Sequence, residues 1–229
     1  MLEALKQTVW QANLDLQRAG LVILTWGNVS GLDAETGLVA IKPSGVSYDE
    51  MRPEQMVVVD LQGEVVEGDL RPSSDTPTHL ELYRRFPGLG GIAHTHSTAA
   101  TAWAQAKRPL PCYGTTHADS FHGCVALTTD LTEEALAGDY ELETGKAIVA
   151  AFEGVEPLRM PGVLVASHGP FTWGATPAKA VESSIVLEQV ALMGLMTNAL
   201  SPDCPAICQG LLDKHFLRKH GAGSYYGQR

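Results

Sequence analysis

The stretch MVVVDLQGEVVEG, residues 56–68, decides what kind of sheet this chain builds. Two apolar runs flank Gln62-Gly63, which reads as a hairpin. A hairpin joins antiparallel strands, whereas parallel strands need a long crossover. Working toward the N-terminus, LVAIK (38–42) is a short strand leading into Pro43-Ser44-Gly45. LVILTWGNVS (21–30) is a β-rich piece that turns at Trp26-Gly27-Asn28. Leu2, Leu5, Val9, Ala12 and Leu16 form one helical stripe that stops at Gly20. Toward the C-terminus, SSDTPTHLELYRRF (73–86) starts a helix near Pro77, with Asp75 or Thr76 as its cap. GGIAHTHS (90–97) reads as a strand and 98–106 as an Ala-rich helix. Residues 110–129 read as short strands and turns, and 139–154 as a helix. GVLVASHGPFTWG (162–174) gives a strand, a turn and a second extended piece. The longest helix opens at Thr176-Pro177 and runs to about Leu200; it is apolar on most sides, so it is central or at a subunit contact. Residues 211–221 form a last short helix. Hairpins without regular βαβ alternation predict a single α/β domain over residues 1–229. Its three layers are a mainly antiparallel central sheet flanked by helices.

A chain of 229 residues that is 45% hydrophobic and 18% charged is not disordered. At this length roughly 70% of the unfolded surface can be buried, so no staple is required. Sixteen basic against 26 acidic residues give a net charge of −10, which argues against nucleic acid as a partner. The four cysteines, Cys112, Cys124, Cys204 and Cys208, are too few and too irregular for a disulfide framework or a zinc finger. The first residues, MLEALKQTVW, lack the basic and apolar regions of a signal peptide. No apolar run approaches the ~20 residues that cross a bilayer. The expected compartment is the cytoplasm, with no membrane partner.

Eight histidines are present, and some are grouped. His94-Thr95-His96 lies on the predicted strand, where alternation sends both imidazoles to one side. Two such rings can converge on one ion; alone, the pair also fits two histidines on a solvated face. His168, where an apolar strand meets Gly169-Pro170, supplies a third imidazole. Three histidines with one open position match a catalytic zinc site. Asp75 is a carboxylate for the remaining position, a base beside the metal, or a helix cap.

Four turns of small residues suit an anion: Gly27-Asn28, Lys42-Pro43-Ser44-Gly45, Ser73-Ser74 and Thr115-Thr116. Ser73-Ser74 precedes a helix N-terminus, where free N–H groups favour anions. None is a nucleotide P-loop. With a metal nearby, these turns favour a small, phosphorylated, oxygen-rich substrate.

LTWGNVS (24–30), IKPSGV (41–46), RPSSDTPTH (71–79), GGIAHTHS (90–97), GTTHAD (114–119), MPGVLVASHGPFTWG (160–174) and LLDKHFLRKHGAGSYYGQ (211–228) together resemble the zinc-dependent class II sugar-phosphate aldolase and adducin head family. Within it they look most like the pentulose-phosphate 4-epimerases, along the full chain. The resemblance implies one Zn²⁺ per subunit on His94, His96 and His168, with Asp75 at or next to it. It implies phosphate binding by Asn28, Lys42, Ser44, Gly45, Ser73 and Ser74, and an acid/base pair of Asp119 and Tyr226. It also implies a homotetramer with sites between subunits, where Asp119, Tyr226, Thr115, His215 and Arg218 come from the neighbouring chain.

That chemistry has a physical reason. The C4 hydrogen of a 2-ketose phosphate is not α to the C2 carbonyl, so its removal leaves an unstabilised carbanion. Breaking the C3–C4 bond and re-forming it on the other face avoids this, given a Lewis acid for the enediolate and one proton-transfer group per face. Two rivals remain. The fuculose-phosphate type of aldolase typically carries Glu where this chain has Asp75. An adducin-like scaffold would be expected to lack the metal ligands.

Overall fold

The computed structural model describes residues 2–225 and residue 227. In chain order the elements are α1 (Leu2–Arg18), β1 (Asn28–Asp33), β2 (Leu38–Ile41), β3 (Val57–Val59), β4 (Val65–Glu67), α2 (Thr76–Arg85), β5 (Gly91–His94), α3 (Thr98–Gln105), α4 (Thr115–Ala118), α5 (Glu133–Ala137), α6 (Tyr140–Ala151), β6 (Gly162–Leu164), β7 (Pro170–Gly174), α7 (Pro177–Leu200) and α8 (Gln209–His220). The seven strands form one sheet in the order β4-β3-β2-β1-β5-β7-β6, and every pairing is antiparallel.

The period-two alternation of the strands sorts their side chains to two faces. Val39, Val57, Val59, Ile92, Phe171 and Trp173 join the main core with Leu80, Leu82 and Tyr83 of α2 and Ile148 of α6. The residues between them, Ala40, Val58, Val29 and Ala93, face α1 and the start of α7. Helices therefore flank the sheet on both sides, giving the expected layers. α7 bridges them: Ala180 and Val181 pack with α1, while Leu187, Val190 and Ala191 reach the main core. A Cβ added at Gly91 of β5 would overlap the Pro177 backbone, so glycine lets the helix start touch the strand.

The 56–68 hairpin forms as expected, with a register shift at Val58/Val59, and β4 is an exposed edge strand. Four expectations are corrected. Residues 21–27 are not strand; Leu24 at φ 56° and Gly27 at φ 79° are incompatible with extended chain, so β1 begins at Asn28. β5 ends at His94, which leaves His96 beyond it. The 110–129 segment contains one helical turn, α4, besides two isolated bridges. Finally, α7 is long and apolar enough, by length and composition, to span a bilayer, contrary to the expected absence of such a run. Its buried residues lie against β5, β7, α3 and α1, so much of that apolar surface belongs to the core. The five-residue α5, capped by Thr132 accepting from the Ala135 N–H, was not expected.

Candidate metal and phosphate pocket

One cavity of about 600 Å³ collects most of the expected site residues. Asn28 enters at the start of β1, Lys42 to Gly45 follow β2, and Ser73 to Asp75 precede α2. His94 ends β5, His96 follows it, and His168 sits in the turn between β6 and β7.

The imidazole ligand atoms of His94, His96 and His168 all lie within 4.8 Å of one another. His94 Nε2 and His96 Nε2 are 3.1 Å apart. His94 donates its Nδ1–H to the Pro170 carbonyl at 3.0 Å, which fixes the tautomer and leaves the Nε2 lone pair facing the cluster. Its ring stacks on Phe171, with centroids 4.1 Å apart. Burial holds the His168 imidazole down at about 4 and lowers His96 as well, and the neighbouring His94 adds to both effects. These two rings are therefore neutral at pH 7, the form that binds metal. The donor set fits a borderline ion such as Zn²⁺. Strand alternation was the wrong route to this convergence, because His96 reaches the cluster from the loop after the strand.

Asp75 lines the same pocket but does not belong to the three-histidine group. It occupies the N-cap position of α2 without a capping hydrogen bond. Its Oδ2 instead accepts from Asn28 Nδ2 at 2.6 Å, and the same amide donates to Ser73 Oγ at 3.1 Å. Burial pushes the Asp75 carboxyl up, but His94, His79, the Asn28 hydrogen bond and His168 outweigh it, and the net shift is down.

The anion side has a buried cation at its base. Lys42 is 2% exposed and its Nζ lies over the Tyr48 ring, 4.9 Å from the centroid. Its hydrogen bonds to the Thr25 and Pro43 carbonyls are both long, 3.4 Å. Burial lowers its pKa to about 8, partly opposed by Asp75. The N–H groups of Ser44 and Ser73 are engaged with the Arg71 and Lys42 carbonyls. The donors these two serines can offer are therefore hydroxyls rather than a backbone cradle.

The remaining expected residues lie elsewhere. Asp119 follows α4 and receives Arg218 of α8 through both oxygens, at 2.7 and 2.9 Å, and His215 Nδ1 at 3.0 Å. Lys219 stands 3.5 Å away. Burial raises the Asp119 carboxyl, yet these cationic partners bring it below its usual range, so it is an anion at neutral pH. Asp119, His215, Arg218 and Thr115 are absent from the main pocket's lining. Tyr226 lies outside the described residues. The cysteines are free thiols, and none joins a metal-holding group among the described residues.

Sequence reasoning missed Tyr140, whose hydroxyl lies 3.3 Å from His168 Nδ1. It also missed Trp26 and Glu141 on the pocket wall. Nothing in DYELETG distinguishes Tyr140 from an ordinary helix aromatic.

An antiparallel α/β fold with three clustered histidines in one cavity with a buried lysine defines a domain able to hold a metal. The chain belongs to the class II aldolase and adducin N-terminal domain family, whose profile matches residues 7–195. Solved structures agree. An L-fuculose 1-phosphate aldolase superposes with a TM-score of 0.79 at 26% identity, covering 93% of this chain and 94% of its own. The L-fuculose 1-phosphate aldolase of Glaciozyma antarctica PI12 gives 0.77 at 21% identity, covering 93% and 80%. That of Thermus thermophilus gives 0.67 at 24%, covering 87% and 97%; at these last two identities the likeness is one of fold.

Proposed function

We propose that this chain is a metal-dependent 4-epimerase that interconverts L-ribulose 5-phosphate and D-xylulose 5-phosphate. The observation that carries the reading is the division of the residues into two groups within one chain. The pocket holds the imidazoles and the phosphate-side donors, while the Asp119 group lies apart on α4 and α8. A homotetramer that brings the Asp119 group of one chain to the pocket of the next completes the site. The exposed apolar residues of α7, among them Met193, Met196 and Leu200, support such assembly.

His94, His96 and His168 would hold one Zn²⁺, which supplies Lewis-acid stabilisation of enediolate charge when bound. Lys42 and the hydroxyls of Ser44, Ser73 and Ser74, with Gly45, grip the phosphate. Asn28 holds Asp75 ionised beside the imidazoles, which suits a base better than a fourth ligand. Asp119, kept anionic by Arg218 and His215, accepts the C4 hydroxyl proton on one face of the substrate. The C3–C4 electron pair then passes to the ketone-derived fragment, leaving glycolaldehyde phosphate and the enediolate of dihydroxyacetone. The aldehyde turns while its phosphate stays bound, and the bond re-forms on its other face, with Tyr226 as the second proton-transfer group. Firm phosphate binding keeps the aldehyde from escaping.

The test is incubation with L-ribulose 5-phosphate and zinc, followed by detection of D-xylulose 5-phosphate. The similarity to fuculose-phosphate aldolases favours a second reading, class II aldol cleavage. Stoichiometric release of free aldehyde would decide for it. A non-catalytic, adducin-like chain would bind no metal and stay inactive after zinc addition. The shared site has its own test: His94→Ala and Asp119→Asn, each inactive, should regain activity when dissociated and reassembled together. No recovery would sink the intersubunit arrangement.

A further inference from the structure

The three imidazoles are not equally supported. His94 is fixed twice, by the Pro170 carbonyl at Nδ1 and by the stacked Phe171 ring. His168 sits in a turn, next to Ser167 at φ 61°, rather than on a strand. Among the described residues, its ring has one hydrogen-bond partner, the Tyr140 hydroxyl at 3.3 Å. The phenol ring itself is tilted against the imidazole, with centroids 6.2 Å apart.

Tyr140 is held firmly from behind. It is the first residue of α6, after the Asp139 cap, whose carboxylate accepts from the Leu142 N–H. Thr144 Oγ1 donates to the Tyr140 carbonyl at 2.9 Å. The adjoining Glu141 carbonyl accepts from Thr78 of α2 at 2.5 Å. A Cβ on Gly145 would stand 2.9 Å from Glu81 Cβ, so α6 lies directly against α2. The same helix pair thus delivers Asp75 and Tyr140 into one pocket.

From this we infer that Tyr140 is a positioning residue for the metal site: its phenol oxygen accepts the Nδ1–H of His168 and so turns the Nε2 lone pair of that ring toward His94 and His96. A histidine ligand whose other nitrogen is left without a partner can rotate or adopt the wrong tautomer, and loss of such a partner typically weakens metal binding roughly 10- to 100-fold. The inference rests on the metal reading of the three histidines, which a separate outcome tests.

The experiment measures zinc affinity by competition with a chelator, and the ligand-field spectrum after loading with cobalt. Tyr140→Phe keeps the ring and removes the oxygen. It should weaken zinc binding roughly 10- to 100-fold and alter the cobalt spectrum, while the urea midpoint stays near that of the wild type. Asp139→Ala removes the α6 cap without touching His168 or the phenol, and should keep zinc affinity within about twofold. Tyr140→Phe that binds zinc as tightly as the parent overturns the inference alone, as does Asp139→Ala that weakens zinc equally. A parent chain that takes up neither zinc nor cobalt overturns the three-histidine site and this inference together.

Discussion

Replacing Lys42 with Met should make the protein more stable and a worse enzyme. Lys42 is 2% exposed, meets two carbonyls at long range and the Tyr48 ring through its ammonium group, and is held to a pKa of about 8 instead of 10.5. The cause is burial, with Asp75 supplying partial compensation. A depression of that size corresponds to about 3 kcal/mol of folding stability lost while the unfolded lysine is charged. Met has a similar reach and no charge. At pH 7 we therefore expect Lys42→Met to be more stable by about 2–3 kcal/mol, after allowing for the lost contact with the Tyr48 ring.

The pH dependence checks the cause. Between about pH 8 and 10.5 the unfolded lysine still binds its proton and the folded one does not, so wild-type stability rises with pH across that window. The advantage of Lys42→Met should be full below pH 8 and gone above 10.5. Urea unfolding at a series of pH values measures it. A variant less stable at pH 7, or an advantage that stays constant from about pH 8 to 10.5, would refute the reasoning. In the same variant, KM for the sugar phosphate should rise roughly 10- to 100-fold, since a hydrogen bond to a charged group is worth about 1.5–3 kcal/mol.

Gly91→Ala should destabilise the fold by about 3 kcal/mol or more, because the new methyl group meets the Pro177 backbone and neither the strand nor the helix start can yield cheaply. Thermal unfolding measures this, and a loss under about 1 kcal/mol would contradict the tight contact between β5 and α7. His117 is 4% exposed, donates Nε2–H to the Gly123 carbonyl, and is pushed by burial to a pKa of about 4. Its unfolded form takes up a proton first as pH falls, so it withdraws up to about 3 kcal/mol of stability between pH 6.5 and 4. A His117→Gln variant should show a shallower acid limb in that interval; an unchanged limb would remove His117 as its source. Thr176→Ala removes the cap that accepts from the Lys179 N–H and should cost about 1 kcal/mol in thermal unfolding, with no change in zinc affinity.

What the sequence revealed follows from how local each signal is. The 56–68 hairpin and the α7 boundaries at Pro177 and Leu200 are written in neighbouring residues. So are the three pocket loops, because small and polar residues next to strand ends have few structural alternatives. The 21–27 segment misled because its apolar residues match a strand, while Leu24 adopts a positive φ that no composition rule assigns to leucine. Tyr140 was invisible for a different reason. Its role depends on α6 packing against α2, which places residue 140 beside residue 168. Asp119 and His215 are equally distant in sequence, and only the meeting of α4 with α8 makes them one group.

A net charge of −10 is at first sight the wrong sign for a phosphate ligand, and distance resolves the conflict. Surface carboxylates are screened within about 8–10 Å in physiological salt, so their sum says little about a recessed pocket. Inside it, the charged side chains are Lys42, Asp75 and Glu141, of which Lys42 and Asp75 are the most buried, and the His96 and His168 imidazoles are held neutral. Two weakly solvated groups of opposite sign thus line one pocket, Lys42 at the proposed phosphate side and Asp75 beside the three-histidine cluster. Each is expensive to bury alone, and each becomes less so when its ligand arrives. The instability expected from Lys42 and the affinity expected at the same position are therefore two consequences of one buried ammonium. A variant that separated them, gaining stability while keeping phosphate affinity, would show that the cation is not what the pocket is built around.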